Sequence, residues 1–176
     1  MAGLDSINQA SPSEAAGAFF RCCGCAGWAA AVAAERPFAS PQALFEAAER
    51  AWARASTEDI LEAFSHHPRI GDRESLAARF PETHAWSSAE QETASRAASD
   101  VLEDLARGNR EYEERFGHIF VVCASGKTAA EMLALLRARL PNDPSAELAI
   151  AAAEQMKITR LRIEKLLAEK PGRSAE

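Results

Sequence analysis

Residues 11–24, SPSEAAGAFFRCCG, have the sequence features of a helix with both of its ends. Ser11 is a favoured N-cap residue, the proline after it suits the first helical position, and Glu14 completes a capping box. Apolar side chains that include Phe19 follow, and Gly24 is the residue type that most often ends a helix. The stretch therefore predicts one complete α-helix.

The same start and stop signals recur along the chain. Ser40-Pro41 predicts a helix that carries Leu44, Phe45, Ala48 and Trp52 on one face. Further helices are expected from about Trp28 to Ala34, from a Thr57 cap to an end at His66-His67-Pro68, from Ser75 to Phe80, from Ser87 to about Arg115, from about Lys127 to Leu140 and from Pro144 to Ala168. The run from His118 to Ala124 is β-like but has no evident partner strand, so it is expected to be a buried extended connector. Residues 1–176 are therefore predicted to form an all-α, single-domain helical bundle.

Composition restricts the classes of partner. A net charge of -6 and a pI near 5.3 leave no basic stripe to neutralise phosphates, which argues against nucleic acid. No apolar run approaches the roughly 20 residues that cross a bilayer, and the first residues do not resemble a signal peptide. These features predict a soluble cytoplasmic protein with no membrane partner. The four cysteines are too few and too clustered for a disulfide framework and are expected to be buried thiols.

The stretch His67-Pro68-Arg69-Ile70-Gly71-Asp72 is the first candidate for chemistry. Pro68 disfavours helical backbone at His67, and Gly71 permits positive φ shortly afterwards. His67 should therefore lie on the irregular segment that leaves a helix, where reactive side chains are common. Its imidazole titrates near neutrality, which suits general acid–base catalysis. The alternative is that this His-Pro pair is only a turn at a helix end.

Ser87, Glu90 and Gln91 form the second candidate, and Arg162 forms the third. A carboxylate in the first turn of a helix is stabilised by free amides, which also attract an anionic or carbonyl-bearing ligand. Gln91 offers a donor and an acceptor for a urea-like edge. The simpler interpretation of this group is an ordinary capping box. Arg162 stands between apolar residues, so it either points inward, where it needs a carboxylate, or lies on a solvated face.

Two other patterns lack a required element. The run ASGKT, residues 124–128, ends like a phosphate-binding loop, but Val121 occupies the position of the first glycine of that loop. The four histidines lack the H-x-x-x-H or H-x-E spacing of metal ligands. Neither a mononucleotide site nor a metal site is predicted.

Seven motifs follow one another in a distinctive order: Phe20-Arg21-Cys22-Cys23-Gly24 with Trp28, Arg36-Pro37-Phe38, residues 67–71, Ser87 with Glu90-Gln91, Asn109 with Tyr112 and Arg115-Phe116-Gly117, residues 120–127, and Leu161-Arg162-Ile163. This ordered set closely resembles the family of 2-oxo-4-hydroxy-4-carboxy-5-ureidoimidazoline (OHCU) decarboxylases, which act last on the route from urate to allantoin. The resemblance covers nearly the whole chain. Cys25 stands where the family often has serine, which is a peripheral difference.

The resemblance implies a cofactor-independent, all-α homodimer that acts on a small-molecule substrate. It assigns His67 as the catalytic imidazole, with Glu90 and Arg162 beside it. The substrate pocket would be lined by Pro68, Ser87, Gln91 and the backbone of Phe120, Val121, Val122, Cys123 and Ala124.

The chemistry of that substrate explains why no cofactor is required. The carboxylate stands on a carbon next to a C=N bond, so the electrons released with CO2 flow into the imine nitrogen. His67 would exchange a proton with the substrate, Glu90 would orient His67 or the ureido group, and Arg162 would hold an oxygen through its planar fork. Two alternatives stay open at this point: a helical binding module without catalysis, and a hydrolase of another ureido or cyclic amide compound.

Overall fold

Eight helices are present in the computed structural model, which describes the backbone of residues 2–67 and 88–168 and the side chains of residues 3–67 and 100–168. They are α1 (Ala2–Gln9), α2 (Pro12–Cys23), α3 (Ala26–Ala34), α4 (Pro41–Trp52), α5 (Thr57–Ser65), α6 (Ser88–Phe116), α7 (Ala129–Arg139) and α8 (Pro144–Ala168). The described residues contain no strand. The all-α prediction is therefore confirmed, while the helix predicted from Ser75 to Phe80 lies outside the described residues.

The predicted start and end of α2 are confirmed. The Ser11 hydroxyl oxygen accepts the N–H of Glu14 at 3.3 Å, and the Glu14 carboxylate accepts the N–H of Ser11 at 2.9 Å. At the other end Gly24 adopts φ +80°, a left-handed conformation that glycine takes without steric cost. Local sequence therefore determines both ends of this helix.

The start of α5 differs from the prediction by one residue. Ser56, not Thr57, is the N-cap, because its hydroxyl accepts the N–H of Asp59 at 3.1 Å. The Asp59 carboxylate accepts the Ser56 N–H at 2.9 Å in return. Counting three residues from Thr57 reaches Ile60, which cannot complete a capping box, so the acidic partner selects Ser56.

Helix α1 has no strong start or stop signal in the sequence and was not predicted. This helix buries Leu4 and Ile7, one turn apart, and its end is held by polar contacts from a later loop. The guanidinium of Arg36 donates to the carbonyl oxygens of Ile7 and Ala10, both at 2.6 Å. Tertiary contacts of this kind explain why α1 forms without a strong local signal.

The chain divides into two compact units. Unit 1 comprises the residues up to His66 and from Ala152 onward, and unit 2 runs from His67 to Ala151. Helix α8 contributes residues to both. The prediction of a single domain is not tested by this division and stays a prediction.

The core of unit 1 is built around aromatic side chains. Phe19 is fully buried and meets Trp28 and Phe38 edge-on, with both pairs of ring centroids 6.3 Å apart. The indole N–H of Trp28 donates to the carbonyl of Ala48 at 3.0 Å, so burial leaves this donor paired. Helix α8 joins the same core through Ile163.

The four cysteines belong to the described residues, and all of them are buried free thiols, as predicted. Burial raises the pKa of Cys23 to about 12. The Cys25 thiol has a structural task, because its sulfur accepts the N–H of Trp28 at 3.3 Å and thereby caps α3. Serine is a favoured N-cap residue, so Cys25 performs a task that a serine hydroxyl usually performs.

Unit 2 packs α6 against α7 around Leu105, Tyr112, Met132 and Leu136. A methyl group on Gly108 would lie 2.5 Å from a methyl carbon of Leu136, so glycine permits the two helices to approach closely. After α6 the chain turns at Gly117, with φ +73°. It then forms the connector, defined here as residues 120–124.

Four of the five connector residues are buried and Ala124 is half-buried, which agrees with most of the buried run predicted from His118 to Ala124. Phe120, Val121, Val122 and Cys123 expose 2%, 2%, 5% and 8% of their surface. None of the connector residues is assigned to a helix or a strand. Its backbone groups therefore lack the regular hydrogen-bond partners that a sheet or a helix provides.

No described helix is long and apolar enough to cross a lipid bilayer.

Candidate active site

His67 lies two residues beyond the end of α5, on the irregular segment that the sequence predicts. Its neighbour His66 is the C-cap residue of α5 and stacks edge-on against Phe20, with centroids 5.1 Å apart. Gly24 approaches the same residue so closely that a methyl group there would lie 2.8 Å from the β-carbon of His66. The end of α5 is therefore fixed by packing, immediately before His67.

Arg162 lies on α8 and is half-buried. Its Nη1 donates to the carbonyl oxygen of Cys22 at 3.1 Å. No carboxylate among the described residues forms an ion pair with it, although a buried or half-buried guanidinium normally has such a partner. Among the described residues, the partner of the Arg162 guanidinium is therefore a neutral carbonyl and not a carboxylate.

Arg160, two residues earlier, has a different environment. It is exposed, lies 3.5 Å from a Glu49 carboxylate and 3.4 Å from that of Glu164, and stacks over the ring of Phe45 at 4.2 Å. Arg160 therefore lies on a solvated face, whereas Arg162 is half-buried and donates to a backbone carbonyl.

Arg162 lines a cavity of about 290 Å³ in unit 1. Two other cations, Arg21 and Lys165, line the same cavity, and Ala18, Cys22 and Leu166 complete its wall. Three positive charges around one cavity favour an anionic ligand.

The connector is held by cations at alternate residues. Arg139 Nη1 donates to the carbonyl of Val121 at 2.9 Å, and Lys127 Nζ donates to the carbonyl of Cys123 at 2.7 Å. Within the part of the chain that the structure describes, the backbone groups of Phe120 and Val122 make no hydrogen bond. Buried backbone groups are nearly always paired, so the unpaired ones are candidates for contact with a ligand.

A buried polar network that was not predicted from the sequence contacts the connector through Arg139. The Glu147 carboxylate is fully buried and accepts hydrogen bonds from the Tyr112 hydroxyl, from Arg139 Nε at 2.7 Å and from Asn142 Nδ2 at 2.8 Å. Burial, and then the Glu147 carboxylate, raise the pKa of the Tyr112 phenol. Tyr112 is the only tyrosine of the chain, and Arg139 and Glu147 lie near adjacent ends of consecutive helices, but neither feature identifies the three residues as partners.

Four of the predicted site residues are not described as side chains. Pro68 and Ser87 lie outside the described residues, and of Glu90 and Gln91 only the backbone is described, near the start of α6. Helix α6 begins at Ser88, which agrees with the predicted helix start. His67 and the connector belong to unit 2 and Arg162 belongs to unit 1, so the convergence of His67, Glu90 and Arg162 stays a prediction.

One group of potential metal ligands occurs among the described residues, namely Cys25, Asp59 and Glu62, with ligand atoms within 4.8 Å of one another. Burial raises the pKa of the Cys25 thiol to about 11. Metals bind the thiolate, and this sulfur already caps α3, so the group does not support a metal centre.

Known proteins match this chain over most of its length. Residues 8–164 match the family described as OHCU decarboxylase. The chain is 41% identical over 150 residues to the uric acid degradation bifunctional protein TTL of Arabidopsis thaliana, a match that covers 85% of this chain and 46% of that protein. The chain thus spans about half the length of this relative. It is 29% identical over 161 residues to the 2-oxo-4-hydroxy-4-carboxy-5-ureidoimidazoline decarboxylase of Haloferax volcanii, covering 91% of this chain and 93% of that one.

Solved structures of similar proteins include two whose fold this chain shares. The fold matches that of an OHCU decarboxylase crystallised in the presence of (S)-allantoin, with a TM-score of 0.71 and 35% identity over 91% of this chain and 100% of that chain. An (S)-allantoin synthase with 18% identity and a TM-score of 0.66 shares the fold, covering 93% of this chain and 53% of that one. The order of motifs, the helical fold and these matches agree: the chain belongs to the OHCU decarboxylase family.

Proposed function

We propose that this protein is a cofactor-independent carboxy-lyase that converts OHCU to (S)-allantoin and CO2 in urate degradation. The observation that carries the proposal is its likeness, over the full length of that chain, to an OHCU decarboxylase crystallised with (S)-allantoin. The family match over residues 8–164 supports it.

The cavity beside Arg162 suits the anionic substrate. Arg162 presents a guanidinium whose described partner is a neutral carbonyl, and Arg21 and Lys165 add positive charge at the same cavity. A planar guanidinium binds a carboxylate or carbonyl oxygen through two parallel hydrogen bonds. We propose that Arg162 holds an oxygen of the substrate and stabilises the charge that develops as CO2 leaves.

His67 is proposed as the acid–base group. It follows the fixed end of α5, and an imidazole with a pKa near neutrality exchanges protons readily in either direction. Glu90, near the start of α6, would orient His67 or the ureido group. Gln91, Ser87 and Pro68 would complete the pocket with the connector backbone.

Acid–base catalysis of this kind contributes roughly 10²–10⁴-fold to rate. The enzyme must also choose one face for the incoming proton, because the spontaneous reaction makes both enantiomers of allantoin. A homodimeric assembly and a cytoplasmic location remain predictions from the family resemblance and the composition.

The test uses OHCU made in place from urate by the two preceding enzymes of the route, with circular dichroism recording (S)-allantoin. Wild-type protein should give a rapid signal, and His67→Ala should reduce it to near the spontaneous rate. His66→Gln is the matched control, because His66 is the adjacent imidazole but packs against Phe20. We expect that variant to keep its activity.

The rival functions give different results. A hydrolase would produce a ring-opened product without loss of CO2, and a binding module would leave the allantoin optically inactive. Either result with folded wild-type protein would refute the proposed decarboxylation. An active His67→Ala variant would leave the reaction intact but remove His67 from the mechanism.

A further inference from the structure

The contacts of the connector follow a two-residue period. Val121 and Cys123 direct their carbonyls to Arg139 and Lys127, whereas Phe120 and Val122, in the described part of the chain, have no backbone hydrogen bond. Successive residues of an extended chain direct their N–H and C=O groups to opposite edges. Fixing Val121 and Cys123 at one edge therefore presents Val122 at the other.

Arg139 is itself held in one orientation. Its Nε and Nη2 contact the buried Glu147 carboxylate at 2.7 and 2.5 Å, while Nη1 reaches the Val121 carbonyl at 2.9 Å. Its guanidinium also stacks over the Phe120 ring, with 4.7 Å to the centroid. A single planar group thus binds Glu147 and two successive residues of the connector.

The rigidity of this group matters because the connector has no sheet to align it. An arginine fork has fixed directions for its donors, whereas a lysine ammonium is a point charge on a flexible stem. The Tyr112 hydroxyl donates to the same Glu147 oxygen, and Arg139 Nη2 lies 3.3 Å from that hydroxyl. The position of the connector is therefore set by a network that is remote in sequence.

We propose that Arg139 is a positioning residue that fixes the register of the connector, so that the backbone N–H and C=O of Val122 are presented to the ureido and ring amides of the substrate. This inference rests on the proposed function, because it requires that the connector contacts that substrate. Glu147 and Tyr112 orient Arg139, and Lys127 fixes the far end of the connector.

The principal variant is Arg139→Lys, with Arg137→Lys as its matched control. Arg137 lies on the same helix, is 59% exposed and pairs with Asp104 at the surface, at 2.6 Å. We expect Arg139→Lys to raise the KM for OHCU and the Kd for (S)-allantoin about tenfold, the loss that accompanies one misplaced hydrogen bond. The pH profile of kcat should stay unchanged, and Arg137→Lys should leave all these quantities unchanged.

A merely structural role would give a different pattern. The variant would then unfold at a lower temperature, while its folded fraction, measured below that temperature, kept the wild-type KM. That result would overturn the proposal. If Arg139→Lys does not fold, Lys127→Met replaces it, because Lys127 is half-exposed and its ammonium holds only the Cys123 carbonyl among the described hydrogen bonds. An unchanged KM in folded Lys127→Met would also overturn the proposal.

A binding measurement separates this proposal from the proposed function. In amide NMR spectra, saturating (S)-allantoin should shift the Val122 N–H strongly, and the Val121 N–H much less. A bound ligand that leaves the Val122 signal unmoved overturns the positioning proposal, even in an active enzyme. Wild-type protein without decarboxylase activity overturns the proposed function, whatever the NMR result.

Discussion

Replacing Arg162 by glutamine should reduce activity strongly and stability only slightly. The structure gives the reason, because the described partner of this guanidinium is a neutral carbonyl, that of Cys22 at 3.1 Å. The bond joins a charged guanidinium to a neutral carbonyl, and hydrogen bonds to charged groups contribute about 1.5–3 kcal/mol to stability. Because Arg162 is only half-buried, the free energy of unfolding should fall by about 1.5 kcal/mol, the lower end of that range.

The expected loss of activity is larger. A hydrogen bond to a charged group contributes about 1.5–3 kcal/mol, and its removal from the substrate oxygen corresponds to roughly 10- to 150-fold in kcat/KM. Arg162→Lys keeps the charge but loses the planar fork, so its kcat/KM should lie between those of wild type and Arg162→Gln.

The assay combines circular dichroism of (S)-allantoin formation with urea unfolding of the same protein samples. Arg160→Gln is the matched control, because Arg160 lies on the same helix but is exposed, pairs with the exposed carboxylates of Glu49 and Glu164 and covers the ring of Phe45. Surface ion pairs contribute little, so this variant should keep both wild-type activity and nearly wild-type stability. A folded Arg162→Gln variant with kcat/KM within about twofold of wild type would refute the reasoning, since each tenfold is about 1.4 kcal/mol.

Three further predictions concern stability. Gly17→Ala should raise the free energy of unfolding by up to about 1 kcal/mol, because a methyl group there meets no atom within 4 Å and alanine favours helix. Gly3→Ala should lower the free energy of unfolding by about 1–3 kcal/mol, because a methyl group on Gly3 would overlap the backbone of Leu167. Thermal unfolding of both variants measures this, and equal shifts would contradict the packing of α1. Cys25→Ser should retain the cap of α3, whereas Cys25→Ala should lower the free energy of unfolding by about 1 kcal/mol. Urea unfolding measures both variants, and equal stabilities would contradict a role for this cap. The backbone N–H and the hydroxyl of Ser56 hold the pKa of the Asp59 carboxyl below its ordinary value of 3.8. The contribution of Asp59 to stability is therefore present above pH 3.8 and is lost as the pH falls through the lower pKa of the folded state. Asp59→Asn should therefore reduce the acid sensitivity of unfolding, and identical pH profiles for wild type and variant would contradict this.

The helix boundaries show what local sequence encodes. The two ends of α2 and the start of α4 depend on contacts within four residues, so the chain specifies them before it packs. Ser56 replaced the expected Thr57 as the cap of α5 because its own acidic partner stands three positions later. Even this difference of one residue is local, and the sequence contained the information to resolve it.

Fewer features of the candidate site than of the helix boundaries could be predicted from local sequence. The sequence predicted that His67 follows a helix end and that the run from His118 to Ala124 is a buried connector, since proline placement and an apolar run are local signals. It left two interpretations for Arg162, because periodicity alone does not show which contacts an arginine makes on a long helix. The environments of Arg160 and Arg162 became distinguishable only through residues of other helices.

The sequence by itself determined the helical class, most helix ends and the family, because each depends on residue type and order. Only the tertiary structure identified the cluster of Tyr112, Arg139 and Glu147, which come from three helices and meet around one buried carboxylate. The physical reason is that no residue in this cluster has a distinctive local signal. Each pays a desolvation cost on burial that is offset only when packing brings all its partners together.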